Sequence, residues 1–266
     1  MKVIFKFVIH LLIVLLFTIV SQIGGVTWIL SMLTVSALKF KKKWTVPTFL
    51  ALYFAISFLI VPSLASLDGR VPLPIFKSGN IVPHNLITIV FNRHYVKEDL
   101  LTELKIISKI FERINPDTKP VYLDANFPFI DGFPLLPHRS HNDGRKIDLA
   151  FIYTKNGNAS NAKPSRSGYG YFEAPNKGEY NQPKVCIGRG YWQYDFTKYL
   201  TLGSSDNFEL DTDRTKALMQ VILNRPKTHK VFIEPHLKTR LQIDHVKCRF
   251  HGCKAVRHDD HIHYQI

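Results

Sequence analysis

Residues 137–151 of this 266-residue chain read PHRSHNDGRKIDLAF. His138 and His141 stand three apart, and Asp148 follows seven residues after the second, where an apolar run begins. Extended to KIDLAFIYT (146–154), that run has the β-branched and aromatic content of a buried strand. A loop carrying two imidazoles therefore leads into a strand carrying a carboxylate.

The last ten residues, RHDDHIHYQI (257–266), repeat the theme. Their alternating end predicts a closing strand. Because residues i and i+2 of a strand share a face, His261 and His263 project side by side. His138 and His141 thus form one cluster, and His258, His261 and His263 a second, more than a hundred residues away, each with aspartates. Zinc takes nitrogen, oxygen and sulfur ligands in a tetrahedron, and a catalytic site keeps one position for water. Two histidines and one carboxylate are a sufficient protein contribution, and His141 with Asp148, brought against the C-terminal strand, can supply it. By spacing alone, surface histidines or a hydrogen-bonded cluster are equally good readings.

Between the two clusters the elements are mixed. NLITIVF (85–91) reads as a strand. Leu100, Leu104, Ile107, Phe111 and Ile114 recur at helical spacing, which predicts a helix through KEDLLTELKIISKIFERI as core packing. PVYLDA (120–125) reads as a short strand, and 155–184 as a long loop rich in Gly, Asn, Ser, Pro and Tyr. DTDRTKALMQVILN (211–224) predicts a helix capped by an aspartate, KVFIEP (230–235) a strand and HLKTRLQIDHV (236–246) a second helix. With no regular βαβ alternation, the fold class is α+β.

Residues 1–66 are of another kind, with six lysines and no acid. Two apolar runs there, 7–38 and 47–65, each exceed the about 20 residues that cross a bilayer. They predict a transmembrane hairpin, although the first run, broken at Gly24–Gly25, can also hold a re-entrant or third segment. The loop KFKKKW (39–44) suits the cytoplasmic side by the positive-inside bias, which puts everything after about residue 67 on the extracytoplasmic side. Residues 67–84, rich in Pro and Gly, read as a linker and 85–266 as the extracytoplasmic domain. A cleavable signal peptide ending near Ser63-Leu64-Ala65 is the alternative, but the apolar region is much longer than the roughly 7–15-residue core of such peptides.

The 200 residues after the hairpin carry 29 Lys and Arg against 21 Asp and Glu, a surplus that suits an anionic surface such as cell wall polymer or phospholipid. Neither a basic helix nor an aromatic-studded strand of the RNA-binding type is present, so no nucleic acid partner is expected. Of Cys186, Cys248 and Cys253, the last two can close a small loop in an oxidising compartment, leaving Cys186 free. His251 between them makes a metal clip conceivable, on a spacing that fits no common zinc module.

PHRSHNDGRKIDLAF resembles the S-H-x-x-G-x-x-x-D signature of penicillin-insensitive murein endopeptidases, and RHDDHIHYQI resembles their closing H-D-D-H-x-H strand. These belong to the wider group of lysostaphin-type peptidases, D-Ala-D-Ala metallopeptidases and the hedgehog domain. The resemblance covers roughly residues 120–266. It implies that group's zinc domain, with a central antiparallel sheet, following the membrane hairpin. It makes His141, Asp148 and His263 the zinc ligands and His261 the general base or transition-state stabiliser. His138 and His258 become substrate-contacting or supporting residues. Ser140 and Gly144 match as geometry, with Gly144 permitting the turn, and either Asp259 or Asp260 matches as the carboxylate that orients a histidine ring. Lys146 stands where many members have an acid. The helix DRTKAL also lacks the Asn-Trp pair associated with that position.

The implied activity is metal-assisted hydrolysis of peptidoglycan cross-links by a bacterial protein of the cytoplasmic membrane, its catalytic domain on the periplasmic side. Tyr169, Tyr171, Phe172 and GRGYWQY (188–194) can line its groove or simply pack the core. A D-Ala-D-Ala carboxypeptidase or dipeptidase shares the metal set but commonly carries a Glu close before the last ligand, where this chain has Asp259-Asp260-His261. A membrane-tethered zinc- or wall-binding module without catalysis is the reading from another class.

Overall fold

A computed structural model describes residues 2–76 and 78–266. The first apolar run forms two helices, Lys2–Ser21 and Gly24–Ala37, and the chain reverses between them at Gln22, whose φ is 59°. The glycine pair opens the second helix where it crosses the first. A Cβ on Gly25 would lie 2.1 Å from Thr18 Oγ1 and 2.6 Å from Val14 O, so the approach of the two backbones needs glycine. The second apolar run is helical across Lys42–Leu67, with a π turn at Ile56–Ile60. Pro62 follows that turn; it lacks the N–H that would reach Phe58 O and its ring crowds the same carbonyl, so a widened turn fits there.

Two of these helices, Val3–Ser21 and Lys42–Leu67, are long and apolar enough to cross a membrane, and Gly24–Ala37, with 14 residues, is shorter. The three pack through Phe17, Trp28 and Phe49, with the Phe17 and Phe49 rings stacked at 4.9 Å. At the reversal, Gln22 Oε1 accepts from Phe129 N at 3.1 Å. Lys6 and the lysines of 39–43 therefore gather at the end remote from the rest of the chain.

The third helix also packs against the domain. Tyr53 donates its hydroxyl to Val90 O at 2.7 Å, and Asn92 Nδ2 donates to Tyr53 Oη at 3.2 Å and to Ser57 Oγ at 3.1 Å. Val61 and Ala65 close over Tyr95 in a small core of their own.

The domain is α+β. Its main sheet has six strands in the order Cys248–Arg249, Lys230–Phe232, His261–Gln265, Lys146–Ala150, Val121–Tyr122 and Val82–Pro83. The three central pairings are antiparallel and the two outer ones parallel, so the sheet is mixed with an antiparallel centre. Helices Glu98–Ile114 and Thr212–Leu223, the latter capped by Asp211, cover one face. Leu100, Leu104, Ile107 and Phe111 are buried there beside Leu218, Met219, Ile147, Leu149, Ile262 and Tyr264. Ile114, the end of the predicted stripe, is 57% exposed. A second sheet joins Asn158–Ser160, Tyr153–Lys155 and Phe208–Leu210, so the run 146–154 supplies two strands to two sheets.

Several local expectations are corrected. NLITIVF is a short helix, Leu86–Val90, because Asn85 caps it by accepting from Ile87 N and Thr88 N, and the cap overrides the β-branched composition. The segment 67–84 is packed. Arg70–Pro72 pairs with Tyr95–Lys97, Leu73 and Ile81 enter the core, and buried Arg70 binds Phe127 O and Asp131. Only Pro235–Arg240 of 236–246 is joined into a helix. The disulfide is Cys186–Cys253, and Cys248 is the buried free thiol, so neither the predicted small loop nor a metal clip forms.

Candidate metal centre

The strand His261–Gln265 lies antiparallel to Lys146–Ala150, with His263 opposite Asp148 and His261 opposite Ala150. Alternation sends Ile147, Leu149, Ile262 and Tyr264 into the core and leaves Asp148, His261 and His263 on the other face. His141 reaches that face from the preceding loop through a turn at Gly144, whose φ is 78°. Gly144 N donates to Asn126 Oδ1 at 3.1 Å, its carbonyl accepts from Lys97 N at 2.8 Å, and a Cβ there would lie 2.9 Å from Lys97 Cγ. Ser140 is half-buried beside His141, and its carbonyl accepts from Asn142 N at 3.0 Å.

Three atoms from the loop and the two strands make a nearly equilateral triangle. His141 Nε2 lies 3.1 Å from Asp148 Oδ1 and 3.0 Å from His263 Nδ1, and His263 Nδ1 lies 2.8 Å from Asp148 Oδ1. All three side chains are buried. Each is also held from behind. His141 Nδ1–H donates to Ala125 O at 2.6 Å, which turns the Nε2 lone pair toward the triangle. The Gln265 amide stands 2.9 Å from His263 Nε2, and Tyr169 donates its hydroxyl to Asp148 Oδ2 at 2.9 Å.

His138 approaches the other carboxylate oxygen, its Nδ1 3.1 Å from Asp148 Oδ2. His138, His141 and Asp148 form a buried group whose donor atoms lie within 4.8 Å of one another and which can hold a metal ion. His261 Nδ1 is paired with the Asp260 carboxylate, which also accepts from Gly170 N at 2.6 Å. Its Nε2 lies 3.6 Å from Asp148 Oδ1 and, like His138 Nε2, is buried with no hydrogen-bond partner among the described residues.

Burial and charge set the protonation of this cluster. Burial works against the Asp148 carboxylate, but the imidazoles of His141, His261 and His138 outweigh it and hold its pKa well below the usual range. Burial pushes His138 and His258 well below the ordinary imidazole value and takes His263 down to about 4. Burial would lower His261 too, yet the adjacent Asp148 and Asp260 carboxylates raise it to about 9. An imidazolium at His261 thus stands between the Asp148 and Asp260 carboxylates, beside neutral rings at His138, His258 and His263.

The approach to the closing strand is fixed by a polar network. Arg257 Nε donates to Asp259 Oδ1 at 2.6 Å, with its guanidinium 3.9 Å from the Phe172 ring centre. Glu234 accepts from Tyr194 Oη at 2.6 Å and from His258 N at 3.1 Å. Asp259 is therefore engaged with Arg257, and Asp260 is the carboxylate that orients a histidine.

All five histidines singled out from sequence converge, with the His258 ring 4.9 Å from that of His261. Phe172 belongs to the packing beneath Arg257. Tyr169, read only as a groove or core aromatic, binds Asp148 and packs 4.6 Å from the His138 ring. Its one sequence signal is the G-Y-G spacing at 168–170. In comparisons with known proteins, no family model matches this chain, and no curated protein matches it.

Proposed function

We propose that this chain is a membrane-anchored zinc peptidase that hydrolyses peptide cross-links of peptidoglycan. The observation that carries the reading is the buried triangle of His141 Nε2, Asp148 Oδ1 and His263 Nδ1, with sides of 2.8–3.1 Å. Tetrahedral zinc with bonds near 2.0–2.1 Å separates its ligand atoms by about 3.3 Å, so the triangle needs to open only slightly to take the ion. The backing hydrogen bond from His141 to a carbonyl is a support that ligating imidazoles use. Two imidazoles and one carboxylate suit zinc and leave a fourth position open.

When bound, zinc supplies Lewis acidity to the scissile carbonyl and to the attacking water. The protein's own part falls first to His261. Its Nε2 faces the triangle without a hydrogen-bond partner among the described residues, and Asp260 fixes the ring by holding Nδ1. Held as imidazolium by the two adjacent carboxylates, His261 can stabilise the developing oxyanion through its Nε2–H and donate that proton to the leaving amine. Tyr169 and His138 hold Asp148 Oδ2, which keeps Oδ1 turned toward His141 and His263. The chain has no H-E-x-x-H glutamate, so histidine takes the proton-transfer role.

The substrate class follows from the two quoted motifs, the basic soluble part and the apolar helices. Lysines at the helix ends remote from the domain suit a cytoplasmic face, and this supports an orientation with the domain on the wall side. The test uses the full chain in detergent, since Val61 and Ala65 help bury Tyr95. Zinc-loaded protein is incubated with purified peptidoglycan, with and without a chelator, and the products are identified by mass spectrometry. Loss of cross-linked dimers that requires both zinc and His141 is expected. Intact cross-links with folded, zinc-loaded protein would overturn the reading, and release of single D-Ala would redirect it to a carboxypeptidase.

A further inference from the structure

A cleft of about 810 Å³ opens beside the metal centre, with His138 and His258 in its lining. Among the described residues no aspartate or glutamate lines it, whereas Arg139 and Lys254 both do. Both cations are exposed, and neither side chain has a hydrogen-bond or ion-pair partner among the described residues. Their backbones are nonetheless held in place. Arg139 lies between two residues of the centre's own loop, His138 against Asp148 and Ser140 next to His141. Lys254 follows Cys253, which the disulfide ties to Cys186. Two uncompensated cations on a concave, low-dielectric wall focus a positive potential at the entrance to the reacting centre.

The same cleft has an aromatic side. Trp192 is 74% exposed and stands edge-on against Phe196 at 5.9 Å. A tryptophan so open to water, backed by a second ring, is a contact surface for the apolar part of a ligand.

We propose that this cleft selects ligands bearing free carboxylates, which Arg139 and Lys254 bind, while Trp192 covers the adjoining apolar portion. The inference deepens the peptidase reading and rests on it for taking the ligand to be a peptide. Arginine can engage a carboxylate through two parallel N–H donors, and lysine adds a point charge.

The test measures binding by calorimetry with the full chain in detergent. The probes are two forms of the synthetic peptide Ala-Glu-Lys-Ala, one with free carboxylates and one with both carboxylates amidated. Protein is used zinc-loaded and after chelation, so that carboxylate binding to the metal is separated from binding to the cleft. The free form is expected to bind about tenfold more tightly in both preparations, a preference that charge-assisted hydrogen bonds supply. Arg139→Gln and Lys254→Gln should each reduce the preference, and the double variant should abolish it. Trp192→Ala should weaken both forms by a similar factor.

Equal affinity for the two forms, no binding of the free form up to millimolar concentration, or a preference that survives in the double variant overturns the inference. If cross-links are cut without any charge preference, the peptidase reading stands and this one falls. If a charge preference occurs without hydrolysis, the converse holds.

Discussion

Asp148 and His263 are direct cross-strand partners, and the pairing that sets the sheet register also brings Asp148 Oδ1 within 2.8 Å of His263 Nδ1. A slip of one residue would turn one of them into the core, so register and site are specified together. The hydrophobic partners Ile147, Leu149, Ile262 and Tyr264 enforce that register from the other face.

The first prediction concerns this pair. Full-length protein purified with zinc should carry about one equivalent per chain, read by inductively coupled plasma mass spectrometry. Asp148→Ala should lose it, because two imidazoles alone lack the charge and the third donor. Activity should fall by more than the roughly 10–100-fold typical of removing a supporting residue. Retention of a full equivalent in Asp148→Ala would show that the ion sits elsewhere.

Asp260 separates support from ligation. Asp260→Ala should keep the zinc content while lowering kcat about 10–100-fold, since His261 loses the carboxylate on Nδ1 and with it a fixed ring orientation. Asp260→Asn retains an acceptor for Nδ1–H and should recover part of the rate. A variant that loses zinc and rate together would place Asp260 in the scaffold of the site.

How much of this was readable follows from the range of each interaction. Asp148, His261 and His263 declare themselves because a two-residue period in sequence is a shared face in the strand. The stripe from Leu100 to Phe111 is legible for the same reason in a helix. Asn85 defeated the strand reading of 85–91 because one cap decides between two conformations that composition leaves close. The linker reading of 67–84 failed on a distant partner, since the burial of Arg70 depends on Phe127 and Asp131. Tyr169 sits in a loop without periodicity, and its role depends on where that loop lands. Cys186 pairs with Cys253 across 67 residues, a connectivity that spacing does not encode.

Lys163 gives a pH-dependent prediction away from the metal centre. It is buried, donates to Phe151 O at 2.6 Å, and burial lowers its pKa from 10.5 to about 7. Between these values the unfolded chain binds more protons at this site than the folded one, so its contribution to stability grows as pH rises from about 7 to about 10. Lys163→Met removes that contribution. Relative to the variant, the wild type should gain thermal stability across this window, by an amount on the order of a few kcal/mol. Melting temperatures of both proteins at intervals from pH 6 to pH 10 check it, and parallel curves would show that Lys163 stays charged on folding.

The disulfide supplies the last prediction. Cys186–Cys253 closes a loop of 67 residues and joins the helix Gln182–Gly188 to the segment that carries Lys254 and Val256 into the cleft. Constraining the unfolded chain over such a loop is worth about 2–4 kcal/mol. The Cys186→Ala/Cys253→Ala double variant should therefore melt at a lower temperature, and dithiothreitol should lower the wild type toward it without affecting the variant. Because one cleft wall loses its tether while the strand pairing of Asp148 and His263 is untouched, zinc content should persist. The cost should then appear in KM more than in kcat. Equal melting of the two proteins under oxidising conditions would show that the bond adds no stability, and loss of zinc would tie the wall to the centre more closely than the strands alone require.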